Sequence, residues 1–418
     1  MRRILRHAPL IPALIALLGL SATQCEHTYG RQACRMEKEL FLAETKRPPT
    51  AVATVSNQPD RAAFAWSADG AVTVLTGVGK TLNLSKQPST VLRPGSAPSV
   101  AVRGEKTFWP QTAGLSIEAE DLDLIALPDG RMLLTMLELP GEAPGGAFAA
   151  LLSPEGTPIK TVYLGPSGEY ATKIVSVPWE ENVLVAWHDG ALSGAAIHLV
   201  LLGIDDGPRI LRRSEFRGNG AASGPALAAA GGTPLLAWAE SVSHGKEPQV
   251  RIQIARVARD LTLEQGKTVA EGRFFYPAPT LISDAEGSGL GLIFRDDADR
   301  DETPEFHFMP LRNTGAPDGE PQRISQADGL KGPSLDVQGG LFVTAAVRSF
   351  QRNLLIGLNR FDRRGVKQNG EFQVYADKTD FVRVDVAGAA EGMLLIYAED
   401  KHTSGRVLAG RVYCGNRP

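Results

Sequence analysis

Apolar positions along this chain fall into short runs, alternating or continuous, each closed by a Gly/Pro/Asp turn; the 3.6-residue spacing of amphipathic helices is nearly absent. The clearest unit is PALAAAGGTPLLAWAE, Pro225 to Glu240. A β-like run meets a Gly-Gly turn, and a second run follows that ends on a bulky residue and an acid. Related units are DLIALPDGRMLLTMLE (Asp123 to Glu138), KIVSVPWEENVLVAWHD (Lys173 to Asp189), TLISDAEGSGLGLIFRDD (Thr280 to Asp297), SLDVQGGLFVTAAVR (Ser334 to Arg348) and VDVAGAAEGMLLIYAED (Val384 to Asp400). TVSNQPDRAAFAWSAD (Thr54 to Asp69) is an earlier, weaker copy. Matched positions at Leu124, Ile174, Leu227, Leu281, Leu335 and Val384 are separated by 50, 53, 54, 54 and 49 residues. A third alternating run follows each second one, as in Val250 to Val257 (VRIQIARV) and Arg406 to Tyr413 (RVLAGRVY), and a poorer fourth fits before the next copy.

Four antiparallel strands repeated about every 50 residues predict an all-β fold, a single β-propeller, because stacking repeats in a ring buries both faces of every sheet. Counting the early copy gives seven four-stranded blades. The wide step from Thr54 to Leu124 leaves room for an insertion or a compact extra blade over Ala97 to Ala119, so six and eight blades stay open. Two separate β-sandwiches are the other architecture that the runs allow.

The N-terminus changes the picture. Arg2, Arg3 and Arg6 precede an apolar stretch from Leu10 to Leu20, then small Ser21 and Ala22: the pattern of a secretory signal peptide, too short for a comfortable membrane span. The expected organisation is therefore a signal peptide over 1–22, an N-terminal segment over 23–46 and the propeller over 47–418. The expected address is the periplasm or cell surface. Cys25 stands where a bacterial lipoprotein carries its lipidated cysteine, with Gln24 in place of the small residue normal before it, so a lipid anchor and a plain cut near Ala22 are both open.

Ring closure bears on the other cysteines. The last repeat runs out after its third strand, and Lys38 to Thr45 (KELFLAET) is available to supply the fourth. Laid antiparallel beside the final strand, this segment brings Cys34 near Cys414, and an exported chain favours that disulfide. Pairing of Cys34 with Cys25, and a helix over Lys38 to Thr45, are the alternatives.

Of 418 residues, Lys+Arg 44 and Asp+Glu 47 give a net charge of −3, which becomes −6 without the signal peptide. Without basic runs, nucleic acid is not an expected partner. Gly 44 and Pro 28, about 17% together against a usual share of roughly 12%, suit a chain with many turns. A monomer is expected.

The second run, Leu235 to Glu240 in the clearest unit, resembles the AW-acid strand of bacterial sialidase-like and BNR-repeat propellers. That likeness implies a propeller with a ligand face, and a glycan-active hydrolase as one reading. The family's Asp-box is missing: Ser67-Ala68-Asp69-Gly70 keeps its start, lacks the Trp and falls elsewhere in the blade. No Arg-Ile-Pro precedes the first repeat, so no catalytic residue carries over. The favoured expectation is a non-catalytic module binding an envelope protein or glycan through loops on one face, such as Ser241 to Pro248 and Asp296 to Glu305. The hydrolase, with Glu240 and Asp296 as acid and base, is the alternative.

Three candidate chemistries remain. Asp297, Asp299, Asp301 and Glu305 resemble the calcium loops of integrin-type propellers, with Glu302 replacing the usual glycine, which implies Ca²⁺ on those four carboxylates. Glu138, Asp189, Glu240, Asp296 and Glu399 recur two residues after the bulky position; a ligand face and a hairpin-bonding role compete for them. His188, His244 and His402 fall on separate loops, too dispersed for one metal.

Overall fold

The computed structural model describes residues 34–414, apart from 86, 95–99, 103–104, 108–116, 142–144, 191–195, 219–221, 245–246, 265, 273–278, 285–286, 288, 297–304, 327–333, 351–352, 369–371 and 376–379. Every regular element among these residues is a strand. Seven antiparallel sheets of four strands form the ring of a seven-bladed propeller, and blade 1 carries one extra short strand, Ser89–Val91. Within Ala97 to Ala119, the segment expected as an insertion or an eighth blade, the described residues form a small hairpin, Val100–Val102 with Glu105–Thr107, and no four-stranded sheet. Two separate sandwiches are excluded.

The ring shows in how the core divides. Apolar side chains gather into seven clusters, and each joins two adjacent blades. Met132, Leu134 and Met136 of blade 2 meet Ala63 and Val74 of blade 1, whereas Leu133 and Leu137 on the opposite face meet Ile174 and Val185 of blade 3. Blade 7 closes the circle, with Leu394 and Ile396 packed on Phe64 and Trp66 of blade 1. Both faces of each second strand are covered, so these strands are largely apolar; Met132–Glu138 is buried at all seven positions. Outer strands have a wet face, and Arg209–Phe216 (RILRRSEF) is charged accordingly. Trp66, Trp187 and Trp238 sit at equivalent core positions, 5%, 1% and 4% exposed.

Gly-Gly turns work as the sequence suggests. Gly231-Gly232 and Gly339-Gly340 join inner to second strands, with φ of +57 and +77°, and +57 and +76°. Two consecutive positive φ values define the tight hairpin whose twist matches the flanking strands, and glycine adopts them without a Cβ clash.

Closure uses the N-terminal strand. Cys34–Thr45 pairs antiparallel with Gly405–Cys414, Cys34 lies opposite Cys414, and the two are disulfide-bonded. The helix alternative for Lys38 to Thr45 and the Cys25–Cys34 pairing both fall; Cys25 itself lies outside the described residues. Asp69 then fixes the chain that leaves this strand, accepting the backbone N–H groups of Lys46 at 2.9 Å and Arg47 at 3.1 Å. Asp69 of the stretch Ser67-Ala68-Asp69-Gly70 thus anchors the closing segment.

Candidate functional site: the central channel

Inner strands line the axis of the ring: Ala51–Gln58, Asp121–Ala126, Ile174–Trp179, Ala222–Ala230, Thr280–Ser283, Ser334–Gln338 and Asp380–Gly388. Around the axis lies a cavity of about 830 Å³, bordered by all seven. Each inner strand has one edge with no strand beside it, which leaves alternate N–H groups without a ladder partner. Aspartates on the neighbouring blade fill that gap. Asp121 Oδ2 accepts Ile174 N–H at 2.9 Å, and Asp123 Oδ2 accepts both the N–H and the hydroxyl of Ser176, at 2.5 and 2.6 Å. Asp336 Oδ2 accepts Gly388 N–H at 2.6 Å, and Asp385 Oδ2 accepts Thr54 N–H at 2.7 Å across the closure. Ser334 Oγ donates to the other oxygen of Asp385 and takes Val386 N–H at 3.1 Å. These acids are clasps between blades 2 and 3, 6 and 7, and 7 and 1.

Close packing at one clasp gives a direct expectation. A Cβ on Gly388 would stand 1.8 Å from the Val337 carbonyl oxygen. Gly388→Ala is expected to cost about 1–3 kcal/mol by forcing two backbones apart, read as a lower urea midpoint with an unchanged slope.

Burial dominates the electrostatics. It pushes the Asp123 and Asp336 carboxyls up to about 6 and that of Asp385 up to about 7; their hydrogen bonds pull the other way, and mutual repulsion adds to the rise. Lys173, just before the inner strand of blade 3, is brought down to about 8 by burial, with Asp121 and Asp123 opposing the drop. Its Nζ donates to Pro279 O at 2.5 Å and Thr280 Oγ1 at 3.0 Å, so the side chain bridges from blade 3 to blade 5 past blade 4. Arg383 donates to Thr50 O at 2.5 Å and pairs with Glu120 at 3.6 Å. Asp284, almost fully buried, pairs with Arg363 at 3.2 Å.

None of the described residues singled out as candidates from the sequence borders the channel. Asp297, Asp299 and Asp301 fall outside the described residues, and Glu305 pairs with Arg323 at 2.6 Å and His307 at 3.6 Å. No group of three or more His, Cys, Asp or Glu that could hold a metal occurs among the described residues. Three of the recurrent acids have separate partners. Glu138 is buried against Arg93 and accepts Glu118 N–H; Asp189 accepts Ala196 N–H at 2.9 Å and lies 3.3 Å from His198 Nε2; Glu399 takes Arg406. Asp189 and Glu399 therefore each bond within their own hairpin. Glu240 is 9% exposed, and the Asp296 side chain lies outside the described set. The segment Ser241 to Pro248, expected as a loop, is strand up to His244 and again from Glu247, so that hairpin is longer than the sequence suggested. His188 is buried and His402 exposed at a turn. No helix among the described residues is long and apolar enough to cross a membrane.

The channel set is not among the residues expected from sequence, because variable loops are the ordinary place for a propeller's ligand and the inner strands read as core. A signal is present in the sequence: Asp123, Asp336 and Asp385 each stand between two apolar residues in the alternating inner runs DLDLIA, SLDVQ and VRVDVAG. A carboxylate inside a buried strand demands a partner.

No protein-family model matches the sequence, and no curated protein matches it. Solved structures do match in fold. A polysaccharide lyase of family PL25, an ulvan lyase, aligns with TM-score 0.53 and 8% identity over 88% of this chain and 95% of its own. The propeller domain of the trilobed protease from Pyrococcus furiosus aligns at 0.46 and 10% identity, over 89% of this chain and 94% of that one. A subtype N10 neuraminidase-like protein of A/little yellow-shouldered bat aligns at 0.38 and 9%, over 91% of this chain and 100% of that one. The neighbours thus include sialidase-like and other propellers, and at these identities the likeness is one of fold.

Proposed function

We propose that this protein is an exported, non-catalytic binding module of the cell envelope that receives a small polar ligand, such as the end of a glycan, in the mouth of its central channel. One observation carries the reading: the channel aspartates are each engaged by backbone N–H groups of the next blade, which gives them a structural occupation in place of a free acid–base pair. A cavity of about 830 Å³ with a few converging polar groups falls in the size range of small-molecule sites. The N-terminal signal pattern and the Cys34–Cys414 bridge support an oxidising compartment outside the cytosol. Fold likeness to enzymes does not transfer their chemistry.

Glycan hydrolysis is the second reading, favoured by the carboxyls of Asp123 and Asp385, raised to about 6 and 7 into the range of general acids. A glycan panel and a fluorogenic glycoside panel, run on the same preparation, separate the two. Retention of a glycan with no turnover is expected. Thr172→Trp, which puts a large ring at the channel mouth, should weaken retention at least tenfold. Turnover abolished by Asp123→Asn would establish the hydrolase, and retention untouched by the tryptophan would move the ligand off the channel.

A further inference from the structure

Lys173 differs from the other charged groups around the channel. The aspartates hold neighbouring blades together and Arg383 ties Thr50 to Glu120, whereas Lys173 sends a primary amine across the mouth, where it borders the cavity. Of blade 4, the described residues that border the same cavity are Ala226, Leu227 and Ala228, apolar side chains that give the amine no charged partner. The groups that hold the amine, Pro279 O and Thr280 Oγ1, are neutral, and the titratable groups acting on it are Asp121 and Asp123 of blade 2. Among the described residues, no carboxylate is bonded to Nζ in the way Glu391 is bonded to the exposed Lys80, at 2.7 Å.

We propose that Lys173 is a carbonyl-capture site, whose amine condenses with the aldehyde or ketone of a small hydroxylated ligand, such as an open-chain sugar, seated in the channel. The inference rests on the reading of the channel as a ligand site and names the chemical class it takes. In the first step the Nζ lone pair forms a bond to the carbonyl carbon, the C=O π pair moves onto oxygen, and a proton passes from nitrogen to that oxygen. In the second the hydroxyl takes a further proton from solvent and leaves as water while the nitrogen lone pair forms C=N. Counted from the ammonium, one carbonyl compound is consumed, one water is released and one positive charge is kept. Asp121 and Asp123 therefore face a cation before and after, and the product forms without uncovering buried negative charge.

Burial supplies the free base. With the amine brought down to about 8, roughly a tenth of Lys173 is neutral at pH 7, on the order of 300 times the fraction of an ordinary lysine. Lys80 is shifted the opposite way by Glu391 and serves as an internal reference.

The test treats the whole protein with glycolaldehyde and cyanoborohydride at pH 7 and maps labelled lysines by peptide mass. Lys173 should be reduced to a secondary amine at least tenfold faster than Lys80. Its rate should level off above about pH 8 while that of Lys80 keeps rising. Lys173→Arg, which retains the cation and its donors, should melt as the parent does and lose that label alone. A Lys173 that is unlabelled, or no faster than Lys80, overturns the inference. A ligand retained in the channel without labelling of Lys173 keeps the binding reading and rejects this one; labelling of Lys173 with nothing retained from the glycan panel does the reverse.

Discussion

Cys34→Ser is expected to lower the unfolding free energy by about 5 kcal/mol, the largest effect of any single substitution considered. Cys34 and Cys414 lie 380 residues apart, and a crosslink over so long a loop removes much of the freedom of the unfolded chain; the chain-entropy relation gives roughly 6 kcal/mol. The native side limits the loss to that range. Cys34–Thr45 keeps its ladder with Gly405–Cys414, and Leu40 and Leu42 still pack against the cluster shared by blades 7 and 1. The ring should therefore stay closed at equilibrium and open more often. Urea unfolding of the parent and the serine variant measures the first effect, and amide exchange over Met36 to Thr45 the second. An unchanged midpoint would show that the strand pairing alone closes the ring.

The second large effect is a dependence on pH opposite to that of most salt-bridged proteins. Asp385 goes from about 3.8 in the unfolded chain to about 7 in the ring, and Asp123 and Asp336 rise to about 6. The folded state thus binds these protons more tightly than the unfolded one. Their contribution is complete below about pH 4 and is lost as pH climbs through 6 to 7. Asp385 alone should make the protein about 3 kcal/mol more stable at pH 5 than at pH 8. Asp385→Asn should flatten that slope and stabilise the ring at pH 8, since an amide oxygen can still accept Thr54 N–H and the amide nitrogen can donate to Ser334 Oγ. Urea titrations at pH 5, 6, 7 and 8 on both proteins would decide it. A stability that rises from pH 5 to 8 in the parent would show that the hydrogen bonds to the ionised aspartates outweigh their burial.

These two devices do related work at different radii. The disulfide and the borrowed strand close the ring at the outside of blade 7, and the aspartates fasten inner strands along the axis. Both act on a ring whose core, among the described residues, is divided among seven blade interfaces with no single cluster spanning them. A ligand condensed on Lys173 would sit inside this inner set, where the bridge from blade 3 to blade 5 is the contact it replaces.

The sequence by itself determined the all-β class and the repeat length, and it offered seven units and a strand to close them, for a local reason; the structure settled the blade count and the closing strand. A second strand buried on both faces must be largely apolar, as MLLTMLE is, with its one charge, Glu138, paired to Arg93. An inner hairpin needing two positive φ values must carry Gly-Gly or its equivalent, and a ring lacking its last strand must find one at the other end of the chain. Only the tertiary structure decided what the charges do. Asp121 and Ile174 are 53 residues apart, and Thr54 and Asp385 are 331 apart. Nothing local shows that such pairs meet, since their contact depends on how neighbouring blades are set against one another around the axis. The same holds for Lys173, whose partners lie 106 and 107 residues away. Local pattern reports which side chains must avoid water, and that fixes strands and turns. A charge inside a strand reports only that it needs a partner, and closure of the ring supplies one.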